Sequence, residues 1–188
     1  MRKEGKLFVI SGPSGVGKDT VISRLLKKND NVALSISCTT RAPRGEEREG
    51  VEYYFRSREE FERMIEEDGF LEYAKIFDNY YGTPAGAVRE KLMQGRDVIL
   101  EIDVQGAINV RKKAPGAVLI FIAPPSMEVL RARLEGRHTE TPEQIEKRFT
   151  RASSEMKLAD KYNYQVINDD LEQAVEELNA IIQKEHEK

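Results

Sequence analysis

Apolar residues in this chain come in short unbroken runs, separated by longer stretches of helical periodicity. The first run, KLFVIS (residues 6–11), is continuous rather than alternating, which predicts a strand buried on both faces. Val21, Ile22, Leu25 and Leu26 then recur at helical spacing, so a helix is expected to begin near Lys18. Two further unbroken runs, DVILEID (97–103) and AVLIFIA (117–123), each lead towards a helical pattern. A last run, YQVIN (164–168), precedes a segment whose Leu171, Ala174, Val175, Leu178, Ile181 and Ile182 form one core-facing stripe. Strands alternating with helices predict a parallel sheet covered on both faces.

Two regions break the alternation. Residues 33–85 hold β-rich, tyrosine-rich text (LSISCTTR, VEYYF, NYYGT) around one helical patch, 58–67, and read as an inserted subdomain. Residues 126–160 carry Arg131, Arg133, Arg137, Arg148 and Arg151 with few large apolar residues between them, and read as a mobile helical lid. The core is then 1–32, 86–125 and 161–188, within one domain spanning about 5–184.

Composition narrows the partners more than the fold. The 188 residues, 39% of them hydrophobic, suffice for one compact domain with insertions. A formal net charge of -3 argues against a general nucleic-acid binder and leaves room only for a local basic pocket. A single cysteine, Cys38, rules out an internal disulfide and suits a reducing compartment; it is expected to be structural. The start, MRKEG, does not read as a signal peptide, and the longest apolar run, 118–123, is too short to span a bilayer. The expectation is a cytoplasmic protein with neither membrane nor nucleic-acid partner; monomer and homo-oligomer both stay open. His138 and His186 are expected at the surface, with no metal-ligand spacing around them.

The first candidate chemistry is GPSGVGKDT (12–20), lying between the first strand and first helix. Gly12, Gly15 and Gly17 let backbone N–H groups converge on phosphate oxygens, the following helix adds its positive end, and Lys18 adds a full charge. The phosphate-loop pattern calls for Ser or Thr after the lysine, and here that position holds Asp19. A second constellation lies in SISCTTRAPRGEEREGVEYYF (35–55). There Arg41 and Arg44, three residues apart around Pro43, suit a phosphate clamp, with a tyrosine hydroxyl as a further donor.

Together with FLEYAKIFDNYYGTP, LEIDVQGA, IFIAPPS, RLEGRHTE and VINDD, in this order over residues 6–185, these segments resemble the guanylate kinases. The resemblance implies an α/β P-loop kinase three-layer fold with a parallel-sheet core, an inserted β-rich GMP-binding subdomain (33–85) and a helical lid (126–160). It implies ATP-dependent phosphorylation of GMP, and of dGMP, with Mg²⁺ accompanying the ATP. ATP would be held by Gly12, Pro13, Ser14, Gly15, Val16, Gly17, Lys18, Asp19 and Thr20, with Asn168 near the adenine. Arg41, Arg44, Tyr53 and Tyr81 would hold the GMP phosphate; Ser37, Glu72 and Thr83 would meet the guanine edge. Asp103 would lie between the nucleotides, with Glu101 two residues earlier on the same strand face. Arg137 and Arg148 would close over the transferring group and, with Lys18, carry the catalysis. The Mg²⁺ contact is open among Asp19, Thr20 and Glu101, directly or through water, and Asp103 competes with Glu101 for the role.

Two other readings compete with this one. A guanylate kinase-like interaction module would be expected to have lost the glycine loop or the phosphate arginines, and Lys18, Arg41, Arg44 and Arg137 are all present. A related P-loop kinase acting on another phosphorylated acceptor is disfavoured by Glu72 together with Ser37.

Overall fold

A computed structural model describes residues 3–188; residues 1 and 2, assigned above to the core segment 1–32, lie outside the described residues. The core is a five-stranded parallel sheet in the order β2 (Val32–Leu34), β7 (Asp97–Glu101), β1 (Leu7–Ser11), β8 (Val118–Ala123), β9 (Tyr164–Ile167). Strands β1, β7 and β8 read as unbroken apolar runs because both their faces are covered. Phe8, Ile10, Ile99, Ile120 and Ile122 pack with α1 (Lys18–Lys28) and α7 (Leu171–Glu187). Val9, Leu100, Leu119 and Phe121 face α4 (Val104–Lys113) and Val88 of α3 (Ala85–Met93). The α7 stripe is buried as expected, through Ala174, Val175, Leu178, Ile181 and Ile182.

The second sheet, β4 (Tyr54–Phe55), β3 (Cys38–Thr39), β6 (Asn79–Pro84) and β5 (Phe70–Ile76), forms the β-rich insertion with α2 (Arg58–Glu66). It has its own core, in which Phe61 stacks on Phe70 at 4.3 Å and on Tyr80 at 5.0 Å beside buried Cys38. Burial pushes the Cys38 thiol up to about 11, which leaves it an inert packing residue. Two residues at the insertion's start, Ala33 and Leu34, belong to the core sheet instead, because β2 pairs with β7.

Three expectations are corrected. The segment 126–160 does have an apolar anchor: α5 (Met127–Glu135) and α6 (Pro142–Met156) bury Leu130, Leu134 and Ala152 between them, with Met127, Ile145 and Phe149 against them. Asp103 is not on the strand face of Glu101, since β7 ends at Glu101 and Asp103 caps α4, accepting from Gly106 N–H at 2.8 Å. His186 is not a free surface residue. Its Nδ1 lies 2.8 Å from Asp97 Oδ1, a carboxylate only 2% exposed at the start of β7, which also accepts from Lys6 N–H at 2.8 Å.

Candidate active site

The site lies at the carboxyl ends of the parallel strands, where open α/β sheets present their loops. The chain leaves β1 at Ser11 and turns through the glycine loop into α1. Gly15 and Gly17 have φ of +87° and +88°, a region that favours glycine. A Cβ on Gly17 would also lie 2.8 Å from Asn168 Nδ2. That amide, just past the end of β9, donates to the Val16 carbonyl at 2.8 Å, while the Val16 side chain is buried in the core. The loop is therefore held from behind. In front of it Gly12–Gly15 and Gly17–Thr20 line a cleft of about 430 Å³.

The opposite wall is cationic: Arg137, Arg148 and Arg151 of the α5–α6 segment face the loop and Lys18. Lys18 Nζ makes only a long contact, 3.4 Å, to the Gly12 carbonyl, so its charge is available to a ligand. Glu101 lines the same cleft, beside the Asp19 carboxyl. Burial pushes the Glu101 carboxyl well above the usual carboxylate range; the Asp19 carboxyl adds to the shift and Lys18 opposes it. Asp103 Oδ2 is 3.6 Å from Arg151 Nη2.

A second, smaller cleft of about 130 Å³ opens between the two sheets, lined by Ser37, Tyr53, Thr83 and residues of β7. Thr83, 1% exposed, donates its hydroxyl to Glu72 Oε1 at 3.0 Å. Burial raises the Glu72 carboxyl above its ordinary value; the Thr83 hydroxyl lowers it and the Asp103 charge raises it. Next to Tyr53 of this cleft, the Arg41 guanidinium is held at 3.0 Å by both oxygens of Glu47 and lies 5.3 Å from the Tyr53 ring centre. Tyr53 and Tyr81 meet edge to face at 6.1 Å. Arg44 stays apart. It is exposed along a separate groove with Glu46, Arg48 and Glu52, joined to Arg41 only through Glu47, which accepts from Arg44 N–H at 2.9 Å.

Glu101 and Ile102 line both clefts, so two ligands bound there would meet at the end of β7. A phosphate-loop cleft and a second cleft meeting at one strand end suit a donor and an acceptor of one group. The family model described as guanylate kinase matches residues 4–185. The chain belongs to the guanylate kinase family.

Among curated relatives, a guanylate kinase of Caldanaerobacter subterraneus subsp. tengcongensis is 56% identical over 97% of this chain and 88% of its own length. One of Clostridioides difficile is 50% identical over 99% of this chain and 91% of its own. The crystal structure of guanylate kinase from Anaplasma phagocytophilum superposes with a TM-score of 0.76 at 35% identity, covering all of this chain and 89% of that one. A gluconokinase from Sinorhizobium meliloti shares the fold alone, with a TM-score of 0.52 at 18% identity.

The structure also gives contacts around this kinase's clefts to residues to which sequence reasoning assigned no individual role. Glu47 joins Arg41 to Arg44. Arg133 Nη2 donates to the Asn168 carbonyl at 3.0 Å, tying α5 to the residue that supports the loop. Glu155 lines the larger cleft and holds Arg151 Nε at 2.8 Å. Each is one charged residue among 63 charged Lys, Arg, Asp and Glu positions, with no spacing to mark it.

Proposed function

We propose that this kinase transfers the γ-phosphoryl group of ATP to GMP, and also to dGMP, by direct in-line displacement. The observation that carries the reading is the meeting of the two clefts at Glu101 and Ile102, one under the phosphate loop and one lined by Ser37, Tyr53 and Thr83, whose hydroxyl donates to Glu72. In this reading the loop 12–20 and Lys18 hold the ATP phosphates. Arg41, Tyr53 and Tyr81 hold the GMP phosphate, which displaces Glu47 from Arg41, with Arg44 swinging in from its groove. Ser37, Glu72 and Thr83 read guanine. A phosphate acceptor is already a competent nucleophile at neutral pH, so no general base is required. The task is to align two anions, neutralise their repulsion and exclude water. Arg137 and Arg148 serve this from the lid side. A cytoplasmic setting is part of the reading; among the described residues no helix is long and apolar enough to cross a membrane.

Mg²⁺ fits the donors present. Asp19, Thr20 and Glu101 offer only oxygen, the chemistry of a hard cation. No group of three or more His, Cys, Asp or Glu side chains suited to a metal occurs among the described residues, so phosphates and water would complete the shell. When bound with ATP, the ion supplies charge neutralisation between the phosphates. Asp19 and Glu101 would hold it with Thr20, and its charge would offset the repulsion between the two neighbouring carboxyls.

The reading is tested by a coupled assay with ATP and a panel of nucleoside monophosphates. GMP and dGMP should be turned over far faster than AMP, CMP or UMP. Comparable rates with AMP would overturn the guanine assignment.

Gly106 supplies a sharper test of the acceptor cleft. A Cβ there would stand 3.2 Å from Asp103 Oδ1 and 3.3 Å from Glu72 Oε2, close enough to push either carboxylate. Alanine also suits a helix better than glycine, so Gly106→Ala should not weaken the fold through its propensity. The expected result is a KM for GMP raised about tenfold by misplacement of Glu72, with KM for ATP within twofold. An unchanged KM for GMP would remove Glu72 from the guanine site.

A further inference from the structure

Arg148 does not stand alone in its cleft. Glu140, in the loop just ahead of the Thr141 cap of α6, accepts from Arg148 Nη1 through its Oε1. From the same guanidinium, Nη2 donates to Ser14 Oγ of the phosphate loop at 2.6 Å. One planar group thus spans from lid to loop, with a carboxylate fixing its far edge. Glu140 Oε2 is enclosed and has no donor. An enclosed, under-satisfied carboxylate is a poor way to stabilise a surface loop, since its desolvation is not repaid by full hydrogen bonding. Its placement makes sense at a group that must be oriented.

We infer that Glu140 is a positioning residue for phosphoryl transfer: it fixes the Arg148 guanidinium so that Nη2 points at the phosphate loop. The inference rests on the ATP and GMP reading above. An arginine fork has several rotamers, and a carboxylate bound to one edge removes those that turn the other edge away. Donors set in place before the reaction cost no reorganisation as charge develops on the transferring group. Glu140 also offsets repulsion among Arg137, Arg148, Arg151 and Lys18, all on the walls of one cleft, before any phosphate arrives. As nucleotide binds, Nη2 exchanges the Ser14 hydroxyl for a phosphoryl oxygen, and the Glu140 contact persists. No bond to Glu140 forms or breaks.

Glu140→Gln keeps the size and one acceptor oxygen but removes the charge, and leaves the Thr141 cap intact. Its kcat with saturating ATP and GMP should fall about tenfold while KM for GMP stays within twofold. Glu140→Asp, which retains the charge one methylene short, should recover part of that loss. In an Arg148→Ala background the same Glu140→Gln change should lower kcat by less than twofold further, because its target is gone. All rates are compared at a temperature where thermal melts show every variant folded. Parental kcat in Glu140→Gln overturns the inference, as does a full further loss in the Arg148→Ala background, which a purely structural role predicts. If Arg148→Ala alone leaves kcat unchanged, the assignment of Arg148 to the phosphoryl group fails, and this inference falls with it. A large effect of Arg148→Ala with none from Glu140→Gln defeats only the role of Glu140.

Discussion

Lys18→Met is expected to lower kcat on the order of 10³-fold while leaving GMP affinity within twofold. Lys18 begins α1 inside the glycine loop, and its ammonium contacts only the Gly12 carbonyl, at 3.4 Å. So weak an internal partner means the charge contributes little to the fold and is directed to a ligand. Methionine keeps the unbranched stem and its helix propensity, so the loop and α1 should persist. What is lost is a full positive charge beside the phosphates, in a cleft whose other cations come from the lid side. Steady-state kinetics with calorimetric titration of GMP separate the two effects. A kcat within tenfold of the parent would show that Lys18 does not meet the transferring group.

Glu72→Gln should lower kcat/KM for GMP on the order of 10²-fold, about 3 kcal/mol, and should also make the free protein more stable at neutral pH. Guanine presents two adjacent donors, N1–H and the N2 amine, and a carboxylate accepts both at once. Glutamine replaces one acceptor with a donor. Adenine offers no matching pair, so the selectivity against AMP has the same source: a desolvated charge left unpaired.

The gain in stability follows from linkage. Burial raises the Glu72 carboxyl above its unfolded value, so between the two values the native state holds more proton than the unfolded chain. Stability is therefore lost as pH rises through that window, and ionised Glu72 works against the fold at pH 7. Glutamine carries no such penalty and can still accept from Thr83. Its melting temperature should exceed the parent's at pH 7–8, and the difference should shrink as pH falls through the carboxylate range. Turnover of GMP within twofold of the parent would remove Glu72 from the site. A lower melting temperature at pH 7 would contradict the electrostatic account.

The parts legible in the sequence were those that a single run or a dense motif specifies. β1, β7 and β8 are apolar on both faces, so their strands read directly. β2 did not, because three residues, Val32–Leu34, carry too little pattern to separate from the insertion that follows. DVILEID looks like one strand because Ile102 continues the apolar text, yet pairing stops at Glu101 and Asp103 turns to cap a helix. The lid's apolar content escaped notice because Leu130 and Leu134 on one helix meet Ile145, Phe149 and Ala152 on another, among five arginines. Neither helix shows a wide stripe alone, and their core exists only once the two are paired. Among candidate site residues, Glu47 and Glu140 stand inside quoted segments yet, like Glu155, act through partners that only folding brings near.

The small core between α5 and α6 also bears on timing. Helices with buried contacts of their own travel as one body, so under the lid reading closure over bound nucleotides would be a single hinge event rather than the ordering of a loose strand. Motions of this class occupy microseconds to milliseconds. If ADP leaves by the cleft that this hairpin lines, as the proposed reading implies, the same event would gate product departure. At saturating substrate, the pace of turnover would then be set by how often this hairpin lifts, and substitutions at Leu130 or Phe149, which touch no nucleotide, would register in kcat.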